Sequence, residues 1–336
     1  MLKPLESNPA RARVTRRPVH GVLLLDKPLG LSSNDALQKA KWLLRAEKAG
    51  HTGTLDPLAT GVLPLCFGAA TKFSQLQLDA DKTYEAVARL GVTTDTGDAE
   101  GAVISEHEVS IDQADVDRVL ARFLGPILQT PPMYSALKKD GKPLYEYARA
   151  GIEVERAQRS VTVHALTLAL EQDDSAHYVL RIVVKCSKGT YIRTLAQDIG
   201  EALGCGAHLI ALRRLATGQF AVAQCVGLAQ LEAMTEAGRL ACVLPVDALL
   251  TDHTVVTLGA EDAGRFLSGL RRRGDWPPSD PVAVYGKQPL ALLGTAHVRG
   301  GELIPGRLLS PIEIQQILAG QGNGQAETRQ ITERET

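Results

Sequence analysis

Segments in which apolar and polar residues alternate are separated along this chain by segments with helical spacing. Residues 20–26 form an apolar run typical of a short buried strand, and residues 82–92 alternate as a half-buried strand does. Residues 177–186 predict another strand, whose buried face consists of Leu180, Ile182, Val184 and Cys186.

Helical spacing of apolar residues predicts helices over 32–48, 110–124 and 190–203. Ser32 or Ser33 can cap the first helix, and Ser110 with Gln113 has the spacing of a capping box for the second. Glycines follow all three segments. Strands and helices mix without strict βαβ alternation, which favours an α+β fold with a mixed or largely antiparallel sheet.

Three further segments differ in composition from this central part. Residues 1–18 are basic and residues 316–336 are polar, and the lack of apolar periodicity predicts disorder in both. Residues 130–160 are basic, rich in tyrosine and interrupted by Pro and Gly, which indicates an insertion. Residues 253–315 contain short apolar runs between Gly and Pro, which predict a small β domain. Its residues 271–273 are three arginines, interpreted as a phosphate contact or, alternatively, as a solvated loop.

The composition is that of an ordinary folded protein. The chain has 336 residues, of which 44% are apolar and 22% charged, enough for a core and for two domains. Its five cysteines lack metal-binding spacing and predict reduced thiols of a cytoplasmic protein. No apolar run has the length of a membrane span, and no signal peptide is evident, so we expect no contact with a membrane.

The charges are segregated along the sequence although the net charge is only −1. Residues 1–80 hold 11 Lys/Arg against 6 Asp/Glu, residues 118–160 hold 8 against 4, and residues 181–215 hold 6 against 2. Residues 95–117 hold eight Asp/Glu and no Lys or Arg. This distribution is typical of a protein with a basic face for nucleic acid, although clusters in sequence need not meet in space.

The segment with the most specific chemistry is GHTGTLDPLATG, residues 50–61. It places one carboxylate, Asp56, in a loop interrupted by Gly53, Pro57 and Gly61. Pro57 disfavours helical geometry at Asp56, and the glycines allow close approach of a ligand. A reactive group is often carried on such a loop. The alternative is an Asp that only bonds to its own turn.

This loop resembles the catalytic loop of the TruB family, the bacterial tRNA pseudouridine-55 synthases. Other segments resemble the same family in the same order, which makes a chance match over some two hundred residues very improbable. They are LLLDKPLGLSSND (23–35), KTYEA (82–86), GVTTDTGDAEG (91–101), TPPMYSALKKDGKPLYEYAR (130–149), CSKGTYIRTLAQDIG (186–200) and CGAHLIALRRLATG (205–218).

The resemblance implies an isomerase that converts uridine 55 of the tRNA T loop to pseudouridine after flipping the base, without cofactor or metal. It implies a pseudouridine-synthase-like catalytic domain over 19–252, with an RNA-clamping insertion at 130–160 and a PUA-like RNA-binding module at 253–315. Asp56 matches the catalytic aspartate, Arg193 its arginine partner, and Tyr84 the pocket tyrosine. Four more residues match substrate-binding positions: His51, which fills the vacated stack, and Lys27, Tyr191 and Leu212.

The expected partner is therefore the T arm of tRNA, bound by a monomer with no protein partner. Two other functions remain open at this point. The first is a non-catalytic RNA-binding or RNA-folding protein on the same scaffold. The second is a relative that modifies another RNA or acts in a guide-RNA complex. The trio Asp56, Tyr84 and Arg193 argues against the first, since binding alone does not require it.

Overall fold

Strands are the most frequent regular elements of the chain before residue 253. The structure is a computed structural model that describes residues 15–320. The strands in this first part are β1 (Gly21–Lys27), β2 (Ala49–His51), β3 (Ala59–Phe67), β4 (Lys82–Leu90), β5 (Val92–Thr94), β6 (Val103–Glu106), β7 (Gly125–Gln129), β8 (Lys138–Lys139), β9 (Lys142–Pro143), β10 (Arg159–Gln172), β11 (Tyr178–Cys186), β12 (Ala207–Thr217), β13 (Phe220–Ala221), β14 (Val226–Gly227) and β15 (Val243–Leu244).

Short helices of 6 to 11 residues lie between the strands. They are α1 (Ser33–Leu43), α2 (Ser74–Asp79), α3 (Gln113–Leu120), α4 (Leu144–Arg149), α5 (Ile192–Ala202), α6 (Leu228–Ala233), α7 (Glu236–Ala241) and α8 (Ala260–Leu267). Single 3₁₀ turns occupy Gly68–Lys72, Ala121–Phe123, Val222–Gln224 and Val246–Leu249. Residues 311–320 are also helical.

One large mixed sheet organises this part of the molecule. Within the described residues its order is β14-β1-β3-β12-β4-β11-β10-β7, and β2, β13 and β15 pair with β3, β12 and β1. The pairs β1/β14 and β3/β12 are parallel, and the other pairs of this sheet are antiparallel. The α+β fold with a largely antiparallel mixed sheet is thus confirmed. Helices α1, α3, α5 and α6 contribute to the main apolar core.

Two predicted helices are shorter than the sequence suggests. α1 ends at Leu43 because Arg45 adopts a left-handed φ of 51°, with Ala46 N–H donating to the Lys41 carbonyl at 3.0 Å. This is the bonding pattern of a Schellman motif, here without glycine. The prediction that Ser110 opens the second helix was wrong. Asp112 caps α3 instead, in a reciprocal capping box with Asp115.

A second sheet follows residue 253. Its strands are β16 (Thr254–Leu258), β17 (Arg272–Arg273), β18 (Ser279–Lys287), β19 (Leu290–Arg299) and β20 (Glu302–Leu308), in the order β16-β18-β19-β20-β17. This confirms the predicted C-terminal β unit. One core cluster joins the two sheets, because Val22 and Leu24 of β1 belong to it together with Ala283, Leu292 and Leu309.

The two ends of the chain lie partly outside the described residues. Of the predicted basic arm, residues 1–14 lie outside them, and Arg17 forms a β-bridge with Ala46. Of the predicted polar tail, residues 321–336 lie outside them. Residues 316–320 belong to the last helix, where Gln316 contacts His20 and Ile317 packs against the shared core. The folded part of the chain therefore extends further than the sequence predicts.

Candidate active site

Asp56 lies in the loop between β2 and β3, as the sequence predicts. Gly61, at the start of β3, has a φ of 100°, and a Cβ there would lie 2.2 Å from the Arg214 carbonyl oxygen. Only glycine allows β3 to approach β12 this closely. No hydrogen bond from its own turn reaches the Asp56 side chain in this described loop. The Asp56 carboxylate therefore contacts groups outside its own turn.

The backbone on both sides of Asp56 is held by the connection between β1 and α1. The Ser33 hydroxyl donates to the Leu55 carbonyl at 2.9 Å and accepts from the Leu55 N–H at 2.7 Å. On the other side, Gly30 N–H donates to the Pro57 carbonyl at 2.9 Å. Ser33 is buried, so water does not compete for these bonds. The position of Asp56 thus depends on a contact with residues 30–33.

This contact predicts the effect of Ser33→Ala. Both Leu55 backbone groups would lose their partner in a buried place, at a cost of about 1–3 kcal/mol for each group left unsatisfied. We expect a lower Tm together with a fall in kcat, because the neighbouring Asp56 is no longer fixed.

Ser32→Ala is the matched control for this prediction. Ser32 caps α1 by accepting from Asp35 N–H and does not contact Leu55. Its loss should cost about 0.5–2 kcal/mol of stability and leave kcat unchanged. Equal kcat for both variants would contradict the positioning role of Ser33.

The Asp56 carboxylate forms an ion pair with Arg193, at the start of α5. Asp56 Oδ2 lies 3.0 Å from Arg193 Nη2, which confirms the predicted contact. The guanidinium does not fork onto Asp56 alone, since Arg193 Nη1 lies 3.5 Å from Asp98 Oδ2. Arg193 also donates to the carbonyls of Thr96 at 2.9 Å and Tyr134 at 2.7 Å. Four partners thus fix the orientation of this buried cation.

Burial and neighbouring charges shift the pKa of the Asp56 carboxyl in opposite directions. Desolvation raises the pKa of the Asp56 carboxyl above its ordinary value, and the nearby Asp98 carboxylate adds to the rise. The positive charges of Arg193 and Lys27 oppose it. About 40% of the Asp56 side-chain surface remains open, and it faces a cavity. The carboxylate is therefore both accessible and dependent on Arg193 for its ionised form.

The cavity beside Asp56 has a volume of about 350 Å³ and a floor made by two strands. Alternate residues of a strand share a face. Lys82 and Tyr84 of β4 and Leu212 and Arg214 of β12 all line the cavity, and Tyr84 pairs in register with Arg214. Such a floor, with an aromatic ring beside a carboxylate, can hold a flat heterocycle. Arg213, between Leu212 and Arg214, points away and forms an ion pair with Asp26 at 2.7 Å.

Three more residues singled out in the sequence reach the cavity, while two do not. Tyr84, Tyr191 and Leu212 line it together with Asp56 and Arg193. Burial raises the pKa of the Tyr84 hydroxyl, and the Arg214 guanidinium opposes the rise, so Tyr84 is a neutral phenol at physiological pH. Tyr191 precedes α5, and its backbone is held by Gln129.

Lys27 and His51 lie outside this cavity. Lys27 is fully buried, and its ammonium donates to the carbonyls of Pro28 at 2.9 Å and Leu31 at 2.6 Å. Burial lowers its pKa to about 8. Its ammonium thus holds the turn at residues 28–31, whose Gly30 N–H donates to the Pro57 carbonyl of the Asp56 loop. His51 ends β2 on the approach to the loop, and burial together with the Arg214 charge lowers its pKa.

The insertion at 130–160 contributes to the cavity wall. Ser135, Ala136 and Leu137 line it, and the Tyr134 carbonyl accepts from Arg193. The rest of the insertion holds the β8/β9 hairpin and α4, where Lys142 lies over the Tyr147 ring and Arg149 over the Tyr145 ring. The arginines at 271–273, in contrast, form ion pairs with Glu302 and Asp262.

The sequence reasoning missed four residues of the site. Asp98, Ser33, Lys82 and Arg214 all lie in segments already singled out, yet none was assigned a role. For Asp98 the signal was an aspartate between glycines in GVTTDTGDAEG. For Lys82 and Arg214 it was spacing, since each lies two positions from a selected residue on the same strand.

Two further properties bear on the kind of site. In residues 15–320 no group of three or more His, Cys, Asp and Glu side chains has the arrangement of a metal site. No helix in the described part of the chain is both long and apolar enough to cross a membrane.

Comparison with known proteins agrees with this geometry. The model of the TruB family pseudouridylate synthase N-terminal domain matches residues 41–192, and that of the tRNA pseudouridylate synthase B C-terminal domain matches residues 193–251. A protein of Verminephrobacter eiseniae named tRNA pseudouridine synthase B is 65% identical over 93% of this chain and 95% of its own length. A protein of the same name from Cupriavidus pinatubonensis is 61% identical over 88% and 96%.

This chain belongs to the TruB family. Solved structures show the same fold at lower identity. An H/ACA RNP bound to a substrate RNA containing 2′-deoxyuridine matches with a TM-score of 0.63 at 23% identity, over 87% of this chain and 86% of that one. An archaeal box H/ACA sRNP Nop10-Cbf5 complex matches with a TM-score of 0.63 at 24% identity, over 91% and 93%. The cavity beside Asp56 is thus the candidate active site of a TruB family pseudouridylate synthase.

Proposed function

We propose that this protein converts uridine 55, in the T loop of tRNA, to pseudouridine, with Asp56 as the nucleophile. The observation that carries the proposal is the ion pair of Asp56 with Arg193 at the edge of a cavity floored by Tyr84. A carboxylate paired with a guanidinium next to an aromatic surface suits attack on a nucleoside whose base lies flat on that surface.

The reaction is an isomerisation and needs no external reagent. The N1–C1′ bond breaks and a C1′–C5 bond forms, while the base loses its C5 proton and gains one at N1. Asp56 supplies an electron pair to the electrophilic carbon and later leaves with it. Arg193 orients the carboxylate, and Tyr84 supports the base and is placed to assist proton transfer. Leu212 and Tyr191 exclude water around the detached base.

The base must leave the folded T loop before it can reach this cavity. Flipping costs a few kcal/mol in lost stacking and pairing. We assign to His51, at the entrance to the Asp56 loop, the filling of the space that the base vacates. We assign to residues 130–160 the clamping of the T arm, since this insertion already forms one wall. The unit at 253–315 is proposed as an RNA-binding module, with the protein acting as a cytoplasmic monomer.

The experiment that tests this function uses unmodified tRNA transcript and the purified full chain, without cofactor. Pseudouridine should appear at position 55 and at no other position. An isolated T-arm stem–loop should also be converted, because the flipped base and its loop carry the recognition. Binding of tRNA without any pseudouridine would instead identify a non-catalytic RNA-binding protein, and modification elsewhere would overturn the assigned position.

A further inference from the structure

Arg214 is a buried cation in the cavity floor, and the proposed function assigns it no role. Its side chain is 1% exposed, and its guanidinium contacts two backbone carbonyls and the Tyr84 hydroxyl. Nε donates to the Val62 carbonyl at 2.6 Å, and Nη2 lies 3.4 Å from the Gly53 carbonyl. Among residues 15–320 no carboxylate oxygen lies within 4.0 Å of this guanidinium, in contrast to Arg193 and Arg213. These three contacts do not use all five of its N–H groups, and Arg214 lines the cavity, so a remaining N–H can reach a ligand there.

Lys82, on the same face of the floor, is a second cation. No carboxylate oxygen of residues 15–320 lies within 4.0 Å of its ammonium group. Its ammonium donates to the carbonyls of Gln77, Leu78 and Ala80. Burial and the charge of Arg214 lower the pKa of Lys82 to about 8. The carboxylate of Asp56 is already paired with Arg193. The floor thus carries positive charge that the protein does not neutralise, and such charge is costly to bury unless a ligand uses it.

We propose that Arg214, supported by Lys82, stabilises the negative charge that forms on uracil when the N1–C1′ bond breaks. This inference rests on the proposed function. The electron pair of the broken bond stays on the base and is shared between N1, O2 and O4, so the detached base is an anion. This single negative charge is removed when C5 donates an electron pair to C1′, and the C5 proton is then lost while N1 gains one. Negative charge develops on the base whether Asp56 first attacks C6 or C1′, so a cation beside the base has a use in both routes.

The depth of Arg214 favours the base over a phosphate as its ligand. A flipped nucleotide enters a cavity with the base first, and its phosphates stay with the backbone at the mouth. Arg214 lies in the floor, in register with Tyr84, the residue proposed to support the base. A donor fixed where charge develops stabilises the transition state more than the neutral ground state, and so raises the rate rather than the affinity.

The test varies the leaving ability of the base. Fluorine at C5 withdraws electrons and makes uracil a better anion, so a 5-fluorouridine substrate depends less on a stabilising cation. T-arm stem–loops with uridine or 5-fluorouridine at the target position are each mixed with excess enzyme, and consumption of the target nucleoside is followed by digestion and mass spectrometry. We expect Arg214→Met to slow consumption of uridine about 100-fold, the scale of losing one preorganised donor, and that of 5-fluorouridine at least tenfold less.

Arg213→Met is the matched control, because Arg213 is the neighbouring residue on the opposite face of β12. Its effect should be the same for both substrates. Arg214→Lys retains the charge and should also show little difference between them. Should Arg214→Met fail to fold, Arg214→Gln retains N–H donors without charge and should show the same difference as predicted for Met. An equal loss on both substrates would overturn the proposal, whereas a wild-type protein inactive on uridine would overturn the proposed function.

Discussion

Asp56→Asn should abolish the conversion of uridine while leaving tRNA affinity within a few-fold of the wild type. The amide has the shape of the carboxylate but cannot supply a negatively charged nucleophile. Loss of an enzyme nucleophile reduces kcat by roughly 10⁴-fold or more. Affinity should persist because Asp56 is the one carboxylate in a cavity whose other charged groups are cationic, and removing it does not remove an attraction for RNA.

Single-turnover conversion with excess enzyme, together with filter binding of the same tRNA, checks both parts of this prediction. Asp98→Asn is the matched control, because it makes the same carboxylate-to-amide change beside Arg193 at a residue that does not line the cavity. That variant should retain measurable turnover. Measurable turnover by Asp56→Asn would show that the nucleophile is another group.

The residues of the candidate site that sequence reasoning found are those in segments that resemble TruB family motifs. Asp56 stands in a Gly/Pro-rich loop, and Arg193 stands at the start of an amphipathic helix, facing neither of the apolar residues beside it. Position alone left a structural alternative for each charge, and the resemblance of residues 50–61 and 186–200 to the family decided the choice. The alternation that predicted β4 and β11 likewise follows from burial of one face, which is a local property of the sequence.

The residues that were missed depend on contacts between distant segments. Ser33 reads as a possible helix cap in the sequence, but Ser32 is the cap, and only the approach of Leu55 gives Ser33 its role. Asp98 is recognisable as a partner of Arg193 only once α5 packs against the turn that follows β5. In Arg213-Arg214 the two side chains take opposite faces of β12, and strand register decides which one enters the cavity. Local patterns do not contain this information.

Helix ends were the least predictable local feature for a related reason. The prediction carried α1 on to Lys48 because Gly50 was the nearest glycine, whereas Arg45 takes the left-handed conformation that ends the helix. Packing of Leu43 and Leu44 in the core, together with the bridge from Arg17 to Ala46, compensates the strain at Arg45. Tertiary contacts of this kind override the preference for glycine.

Arg193 should also be sensitive to conservative change, although less so than Asp56. Arg193→Lys retains the charge but loses the planar group that reaches Asp56, Asp98 and two carbonyls at once. We expect the single-turnover rate to fall about 10²–10³-fold, the scale of losing a preorganised charge-assisted contact. Arg193→Ala should be slower still. Added to Asp56→Asn, either change should cause no further loss, because both residues act on one step.

The pH dependence separates the electrostatic role of Arg193 from a purely structural one. Turnover requires ionised Asp56, so the rate falls as the pH drops through the pKa of that carboxyl. Burial and Asp98 raise this pKa, and Arg193 is the largest influence that lowers it. Arg193→Ala should therefore move the acid limb of the pH–rate profile to higher pH. Asp98→Asn should move it to lower pH, since it removes a charge that raises the same pKa. A disturbance of structure alone would not shift the acid limbs of these two variants in opposite, defined directions. If Arg193→Lys has a wild-type rate and an unshifted acid limb, another residue activates Asp56.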